Sequence, residues 1–307
     1  MANNIALVGY TNRTTGLGNI NFELYKNLPI KSICSIYTPH GQETWSENQM
    51  SIRHTEIEKF DEFLKKYEPD LLLFTESFMI DPSILKKYKI KKVMIMMFES
   101  KASHVPIADY YVFPFPFCPF KSRLPIVNML LPIDTTLFEF RVRKERKFIM
   151  IYGTGGLGNR RQIDTVVDLL EMMGLEYIVK SKFQKRFPSD PNELYRDGDI
   201  LIAVDAYMGY GRHIIEAMAC GLPVITQDYF PANFWSDLTI KPKKSYEFHE
   251  KWVRTTYHEL DRGALETMIK LLMEINISKL SLEARKKARR YSWENNLKHW
   301  EDFLNAI

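Results

Sequence analysis

Residues 196–228, RDGDILIAVDAYMGYGRHIIEAMACGLPVITQD, restrict the fold of this chain more than any other stretch. A short apolar run at 200–204 leads into a glycine-rich turn, Gly209-Tyr210-Gly211. A helical segment at 212–220 follows, closed by Gly221, and then come Pro223 and a second apolar run at 224–226. The apolar runs have strand length and are bounded by turn residues, so the order reads strand, tight loop, helix, strand. Such a β-α-β unit places its loop where a ligand phosphate can sit.

The same alternation fills the first half. The reading is a strand at 5–8, a glycine turn at 16–19, a helix at 20–28, a strand at 71–74 and a strand at 93–98. Thr55-Glu56-Ile57-Glu58 has the form of a capping box, opening a helix with Ile57, Phe60, Leu64 and Tyr67 on one face. Asp81-Pro82 starts another helix, with proline at the first helical position. The strand at 93–98 is apolar throughout, as a parallel sheet covered on both faces requires. At 113–120 the run Phe-Pro-Phe-Pro-Phe-Cys-Pro-Phe cannot be helical. From 148 the alternation restarts: strand, glycine loop, helix at 163–173, strand at 177–179, then the unit described above. A helical tail carries Leu265, Met268, Ile269 and Leu272 on one stripe, and a last helix covers 293–304. With 307 residues and 45% apolar content, two α/β domains are expected, meeting near 138–146.

Several groups in this frame carry chemistry. Gly153-Thr154-Gly155-Gly156-Leu157-Gly158 satisfies G-x-G-x-x-G between a strand and a helix, the context in which free N–H groups receive a phosphate. A dinucleotide site also wants an acidic residue after the next strand, where this chain has Lys180-Ser181-Lys182. Arg160 and Arg161 at the start of the following helix suit a diphosphate. Thr14-Thr15-Gly16-Leu17-Gly18-Asn19 is a second glycine loop after a first strand. Glu216 can accept two hydrogen bonds from a ribose diol or can be a surface residue of an amphipathic helix. Asp197-Gly198-Asp199 has a D-x-D form but reads as a turn, so no metal is expected. His104 and His213 are candidate polar site residues. Cys34, Cys118 and Cys220 lie far apart and read as reduced core thiols. The formal charge of +4 comes from interleaved signs and does not favour nucleic acid.

Glu216-Ala217-Met218-Ala219-Cys220-Gly221-Leu222-Pro223-Val224-Ile225 resembles the signature of the retaining GT-B glycosyltransferases of family four (glycosyl transferases group 1). Three further segments resemble that family in order: residues 131–138, LPIDTTLF; 192–199, NELYRDGD; and Tyr291-Ser292-Trp293-Glu294. The resemblance implies a GT-B fold, two Rossmann-like doubly wound α/β domains facing a cleft. Residues 1–140 would form the acceptor domain, 141–290 the donor domain, and 291–307 a terminal helix crossing back. It implies transfer of a sugar from a UDP-, GDP- or ADP-linked donor to a glycan, lipid or protein acceptor, with retention and without metal or cofactor. Glu216 would hold the donor ribose. Arg160, Arg161, Lys180, Gly155, Gly16 and Gly18 would take the donor phosphates, Arg160 or Lys180 substituting for a family arginine that falls at Thr154. Met208, Gly209, Tyr210 and Gly211 would face the donor sugar, and His104, Glu99 and Asn19 the acceptor. The family's first acidic residue is replaced by Met208, with Asp205 the nearest carboxylate.

Two other readings stay open at this level: an impaired GT-B protein that binds nucleotide sugar or a partner chain, and, third, an NADP-dependent oxidoreductase. The sequence shows no signal peptide or membrane span, so a cytoplasmic location is expected. The proline-aromatic run and the lysines of 86–92 can either touch a membrane surface or form a core edge and a solvated face, of which the second is the simpler.

Overall fold

The computed structural model describes residues 4–13, 15–37, 41–76, 80–96, 107–118, 125–152, 160–181, 190–250 and 253–307. The chain divides into two compact units, residues 1–132 with 293–307, and residues 133–292.

In the first unit the strands are β1 (Ile5–Gly9), β2 (Ile30–Ile36), β3 (Gln49–Ile52), β4 (Leu71–Thr75), β5 (Lys91–Ile95), β6 (Tyr110–Phe113) and β7 (Ile126–Asn128). Between them run helices α1 (Gly16–Asn27), α2 (Ile57–Tyr67) and the short α3 (Pro82–Leu85). The sheet order is β3-β2-β1-β4-β5-β6-β7, and every pair is parallel. All five residues of β1 and of β4 are buried, which is why these strands read as unbroken apolar runs.

Two local expectations are revised. The glycines of 16–19 do not form a turn before the helix but lie in its first turn. Thr15 is the cap, its hydroxyl accepting from Gly18 N at 3.0 Å and donating to Asn12 O at 2.9 Å. A Cβ on Gly18 would stand 1.8 Å from Asn12 O, so close backbone approach, not turn geometry, requires that glycine. The capping box at 55–58 is not formed either: Glu56 caps α2 without a side-chain bond to it, because its carboxylate accepts from Arg53 N at 2.8 Å instead.

The second unit contains β8 (Phe148–Tyr152), α4 (Ile163–Met172), β9 (Tyr177–Ser181), β10 (Ile200–Ala203), α5 (Arg212–Ala219), β11 (Val224–Gln227), α6 (Ala232–Trp235) and β12 (Leu238–Ile240). Its sheet order is β12-β11-β10-β8-β9, again wholly parallel. An antiparallel hairpin of β13 (Lys244–Glu250) and β14 (Val253–Glu259) follows, and then α7 (Arg262–Glu274) and α8 (Ile277–Arg290). Leu265, Ile269 and Leu272 of α7 are fully buried, as their helical spacing demands. The last helix, α9 (Trp293–Ala306), belongs to the first unit. There Trp293 Nε1 donates to Glu23 at 3.2 Å and Trp300 Nε1 to Leu130 O at 2.8 Å.

The proline-aromatic run is partly strand: Phe113 ends β6, Phe115 is buried and Phe117 is exposed. In the lysine segment, Lys92 is buried, its Nζ donating to Tyr88 O and Ile90 O, whereas Lys86, Lys87 and Lys89 are exposed. Cys34 and Cys220 are buried free thiols, but Cys118 is only half-buried and is no core residue. No described helix is long and apolar enough to cross a membrane.

Candidate functional site

In an open parallel sheet, right-handed crossovers cover one face until the winding reverses. At the reversal the neighbouring connections leave to opposite faces and open a crevice at the carboxyl ends of two strands. In the second unit β8 is followed by β9 on one side and β10 on the other, so the crevice lies between β8 and β10. Three segments reach it: the residues before α4, the loop after β10, and the first turn of α5.

The loop after β10 is held from all sides. Gln162, whose φ of 53° is left-handed, donates through Nε2 to Val204 O at 2.8 Å. Its Oε1 accepts from Leu260 N at 2.8 Å. Gln227, at the end of β11, donates to Asp205 O at 2.9 Å and to His258 O at 3.0 Å. Tyr229 Oη also donates to Asp205 O at 2.9 Å, and its ring stacks on His258 with centroids 3.9 Å apart. The hairpin therefore serves as a buttress: His258 N donates to Ala206 O at 2.8 Å, and Tyr207 packs on Phe248 and Tyr257. Burial pushes the His258 ring down to about 4.

Inside this frame sits a cluster of charge. Arg161 Nη1 donates to Asp205 Oδ2 at 2.9 Å and lies 2.9 Å from His213 Nε2. His213 Nε2 is 3.0 Å from the same Asp205 oxygen. The Asp205 side chain is fully buried. Burial alone would push its carboxyl up, but the charge of Arg161, then His213, overcomes this and holds it at about 2. The His213 pKa is lowered, first by burial and then by the Arg161 charge, so the ring is neutral near neutral pH. Arg161 Nε and Asp205 Oδ1 are buried and have no partner among the described residues. Arg160 donates through Nε to Tyr207 O at 2.9 Å and lays its guanidinium 4.9 Å from the centre of the Tyr207 ring.

Glu216 is not a surface residue. It is buried on α5, where Oε2 accepts from Tyr195 Oη at 2.7 Å and Oε1 from Arg212 Nε at 2.5 Å. Burial, then the Glu216 charge, raises the Tyr195 phenol well above its ordinary value, so it stays a donor. A carboxylate offers about four lone-pair directions, and two bonds leave room for more donors. Gly211, with φ 83°, opens α5, and a Cβ there would meet Trp235 at 2.9 Å and Met208 Sδ at 3.0 Å. Met208 is buried, Tyr210 packs edge-on against Trp235, and Trp235 Nε1 donates to Tyr210 O. Gly209 lies between them in the same loop.

Lys180 stands apart from this cluster, its Nζ donating to Asp197 Oδ2 at 2.5 Å in the turn entering β10. Asp199 is buried with its carboxylate 3.7 Å from Arg141, so the Asp197-Gly198-Asp199 turn spends both acids on basic side chains. Among the described residues no group of three or more His, Cys, Asp or Glu is placed to hold a metal. A cavity of about 260 Å³ lined by Pro223, Val224, Leu238 and Lys287 lies at the other, amino-terminal ends of β11 and β12.

In the first unit the winding reverses between β1 and β4. Asn21 accepts from Thr75 Oγ1 at 2.7 Å and donates to Tyr10 O at 2.9 Å. Thr11 bonds Ser35 at 2.6 Å, and Asn12 is buried. Gly16, Gly18 and Asn19 form the first turn of α1 beside this crevice. The Gly153–Gly158 loop with Gly155, and Glu99 and His104, lie outside the described residues.

Sequence reasoning passed over Tyr195, Arg212, Gln162, Gln227 and Tyr229. Gln162 and Gln227 had one usable signal, a lone amide beside an apolar run; Arg212 had its i,i+4 spacing to Glu216, and Tyr195 its place in the family-like segment 192–199.

Residues 139–254 match the model of the family described as Glycosyl transferases group 1. This stretch contains Arg160, Arg161, the loop after β10 and all of α5. Over 163 residues, 51% of this chain, there is 27% identity to the poly(ribitol-phosphate) alpha-N-acetylglucosaminyltransferase of Staphylococcus aureus (strain COL). The chain spans 28% of that relative's length. Among solved structures, it is similar to a sucrose-phosphate synthase from Thermosynechococcus elongatus, with TM-score 0.66 and 12% identity over 99% of this chain and 98% of that one. It is also similar to the pneumococcal O-GlcNAc transferase GtfA in complex with UDP and GlcNAc, with TM-score 0.51 and 13% identity over 80% of this chain and 59% of that one. The fold is thus the α/β GT-B one, two Rossmann-like domains with parallel sheets.

Proposed function

We propose that this chain is a glycosyltransferase that moves a sugar from a nucleotide-sugar donor to an acceptor hydroxyl, with retention and without a metal. The observation that carries the reading is that the family match at 139–254 contains the winding-reversal crevice and its charged residues. Arg161, with Arg160 and the N–H groups opening α5, would receive the diphosphate. Glu216, pre-set by Tyr195 and Arg212, would accept from the ribose hydroxyls. The first unit would receive the acceptor, with Asn19 on α1, and Glu99 and His104 remain candidates there.

In this reading the bond from the anomeric carbon to the phosphate oxygen breaks, and its electron pair leaves with the nucleoside diphosphate. The acceptor hydroxyl attacks from the same face, and its proton passes to the departing phosphate. Catalysis then rests on positioning and on guanidinium and helix N-terminal charge at the leaving group, which replaces a cation. Met208 offers no hydrogen bond where an acidic residue would meet a sugar hydroxyl, which supports a donor with a less polar face there. Lys180, tied to Asp197, is the weakest of the phosphate candidates. We also propose a cytoplasmic location, with the exposed lysines 86, 87 and 89 touching a membrane surface.

The test is thermal stabilisation by UDP-, GDP- and ADP-sugars in the presence of a chelator, with NADP as control, followed by turnover with the stabilising donor. Ligand binding to the native state raises stability as RT ln(1 + [L]/Kd). One nucleotide class is expected to stabilise the protein, and Glu216→Ala to abolish this. Stabilisation by NADP alone, or none by any sugar nucleotide, overturns the reading.

A further inference from the structure

The Arg161–Asp205–His213 contact has an internal conflict. His213 Nε2 lies 2.9 Å from an Arg161 N–H donor and 3.0 Å from an Asp205 acceptor oxygen. A neutral imidazole nitrogen either carries a proton or accepts one, so it cannot satisfy both. At the same point the buried Arg161 Nε and Asp205 Oδ1 stand without partners among the described residues. Buried polar atoms left unpaired cost about 1–3 kcal/mol each, and a native protein keeps them where something else is received. The cluster sits at the reversal crevice between β8 and β10, with α5 opening beside it.

We propose that Asp205 and His213 are positioning residues for Arg161, and that the three form an anion receptor that takes up a proton when it binds a nucleoside diphosphate. This rests on the glycosyltransferase reading and specifies how its donor site works. Asp205 fixes one Nη of the guanidinium and so aims the remaining N–H groups. Without it a long arginine side chain samples many rotamers and binds an anion less well.

His213 adjusts the charge. The charged groups that face it are Arg161 and Arg160 from the segment before α4 and Asp205 from the loop after β10. Arg212 and Glu216 on its own helix are paired with each other. With neutral His213 the facing groups sum to +1, from two arginines and one carboxylate. A diphosphate brings at least two negative charges into the crevice and reverses the sign of the field on the ring. Protonated His213 can only donate through Nε2, and does so to Asp205; the Arg161 Nη1 hydrogen that faced His213 is then free for the phosphate, while the other Nη1 hydrogen stays on Asp205. With Arg160 included, the cluster then carries +2. The lowered pKa of the free ring supports this scheme, since the site begins empty of that proton.

The experiment is isothermal titration of UDP, GDP and ADP into wild type, Arg161→Ala, Asp205→Asn and His213→Asn. It is run from pH 5.5 to 8 in paired buffers of different ionisation heat, with thermal melts to verify folding. The nucleotide's own phosphate titration is shared by all variants, so only differences from wild type count. Wild type is expected to take up a fraction of a proton more than His213→Asn between pH 6 and 7, and to bind more tightly as pH falls. Asp205→Asn is expected to weaken binding about tenfold, the worth of a hydrogen bond to a charged group, although it removes a negative charge. Equal proton uptake in wild type and His213→Asn overturns the proposal. So does unchanged or tighter binding by Asp205→Asn, since that outcome makes Asp205 a mere opponent of the anion. Should Asp205→Asn fail to fold, His213→Asn decides alone, because that side chain keeps 15% exposure and its loss removes no buried charge. Binding lost in Arg161→Ala but untouched in the other two leaves the functional reading intact and sinks only this proposal. No binding of any nucleoside diphosphate by wild type sinks both.

Discussion

The two units wind their sheets alike and reverse direction at equivalent places, β1/β4 in one and β8/β10 in the other. The chemistry at the two places differs. In the first unit the buried groups nearest the crevice are amides and hydroxyls: Thr11, Asn12, Asn21 and Thr75. In the second they are ionic: Arg161 with Asp205, and Arg212 with Glu216. Among the described residues, one scaffold thus supplies a crevice whose buried groups are neutral, with the half-buried Glu76 at the end of β4, and another whose buried groups are ionic. The first suits uncharged hydroxylated groups, while the second has the field to hold a phosphate. What distinguishes them is a handful of side chains, with the backbone plan held constant.

Substitutions at either crevice put this contrast at risk to different degrees. The largest effect is expected from Gly18→Ala, whose Cβ would meet Asn12 O at 1.8 Å and Asn12 C at 2.4 Å. Backbone has to move, at a cost of about 4 kcal/mol, and a denaturant melt should show it. In the charged crevice, Arg161→Ala leaves Asp205 buried without its main counter-charge and should cost about 3 kcal/mol. Chemical denaturation at pH 7 measures this, and a loss under 1 kcal/mol would mean that His213 and Arg160 suffice.

The pH dependence separates the crevices further. Asp205 is held at about 2, below its ordinary 3.8, so its contribution is present above 3.8 and is lost as pH falls from there to 2. The difference corresponds to about 2 kcal/mol, and Arg161→Ala should move the acid limb of a stability profile to higher pH. Asn21→Ala, which removes the partner of Thr75 Oγ1, should cost about 1 kcal/mol with no change in that limb. An acid limb displaced by Asn21→Ala would erase the distinction. The smallest effect belongs to Gly16→Ala. Nothing lies within 4 Å of the added Cβ, and a gain of a few tenths of a kcal/mol from helix propensity is expected in a melt.

Much of the architecture was legible because it follows from local pattern. Runs such as Leu71–Thr75 and Ile200–Ala203 are apolar at every position, which only strands covered on both faces need. Gly221 reads as a helix stop and has φ 83°. The hairpin of β13 and β14 escaped notice because residues such as Glu247 and His249 alternate with aromatics over a segment that is exposed on much of its surface. The capping box at Thr55 failed because the cap falls one residue later, at Glu56, whose carboxylate accepts from Arg53 N, a shift of one position that local spacing does not reveal.

Sequence alone, then, determined the alternation of strands and helices, the glycine positions and the segment that bears Glu216. The tertiary structure decided that Glu216 is buried between Tyr195 and Arg212, and that Asp205 serves Arg161. The reason is distance along the chain. Arg161 is 44 residues from Asp205 and 52 from His213, and no periodicity links them. They meet only because two non-adjacent connections of one sheet end at the same crevice, where burial multiplies the worth of each charge.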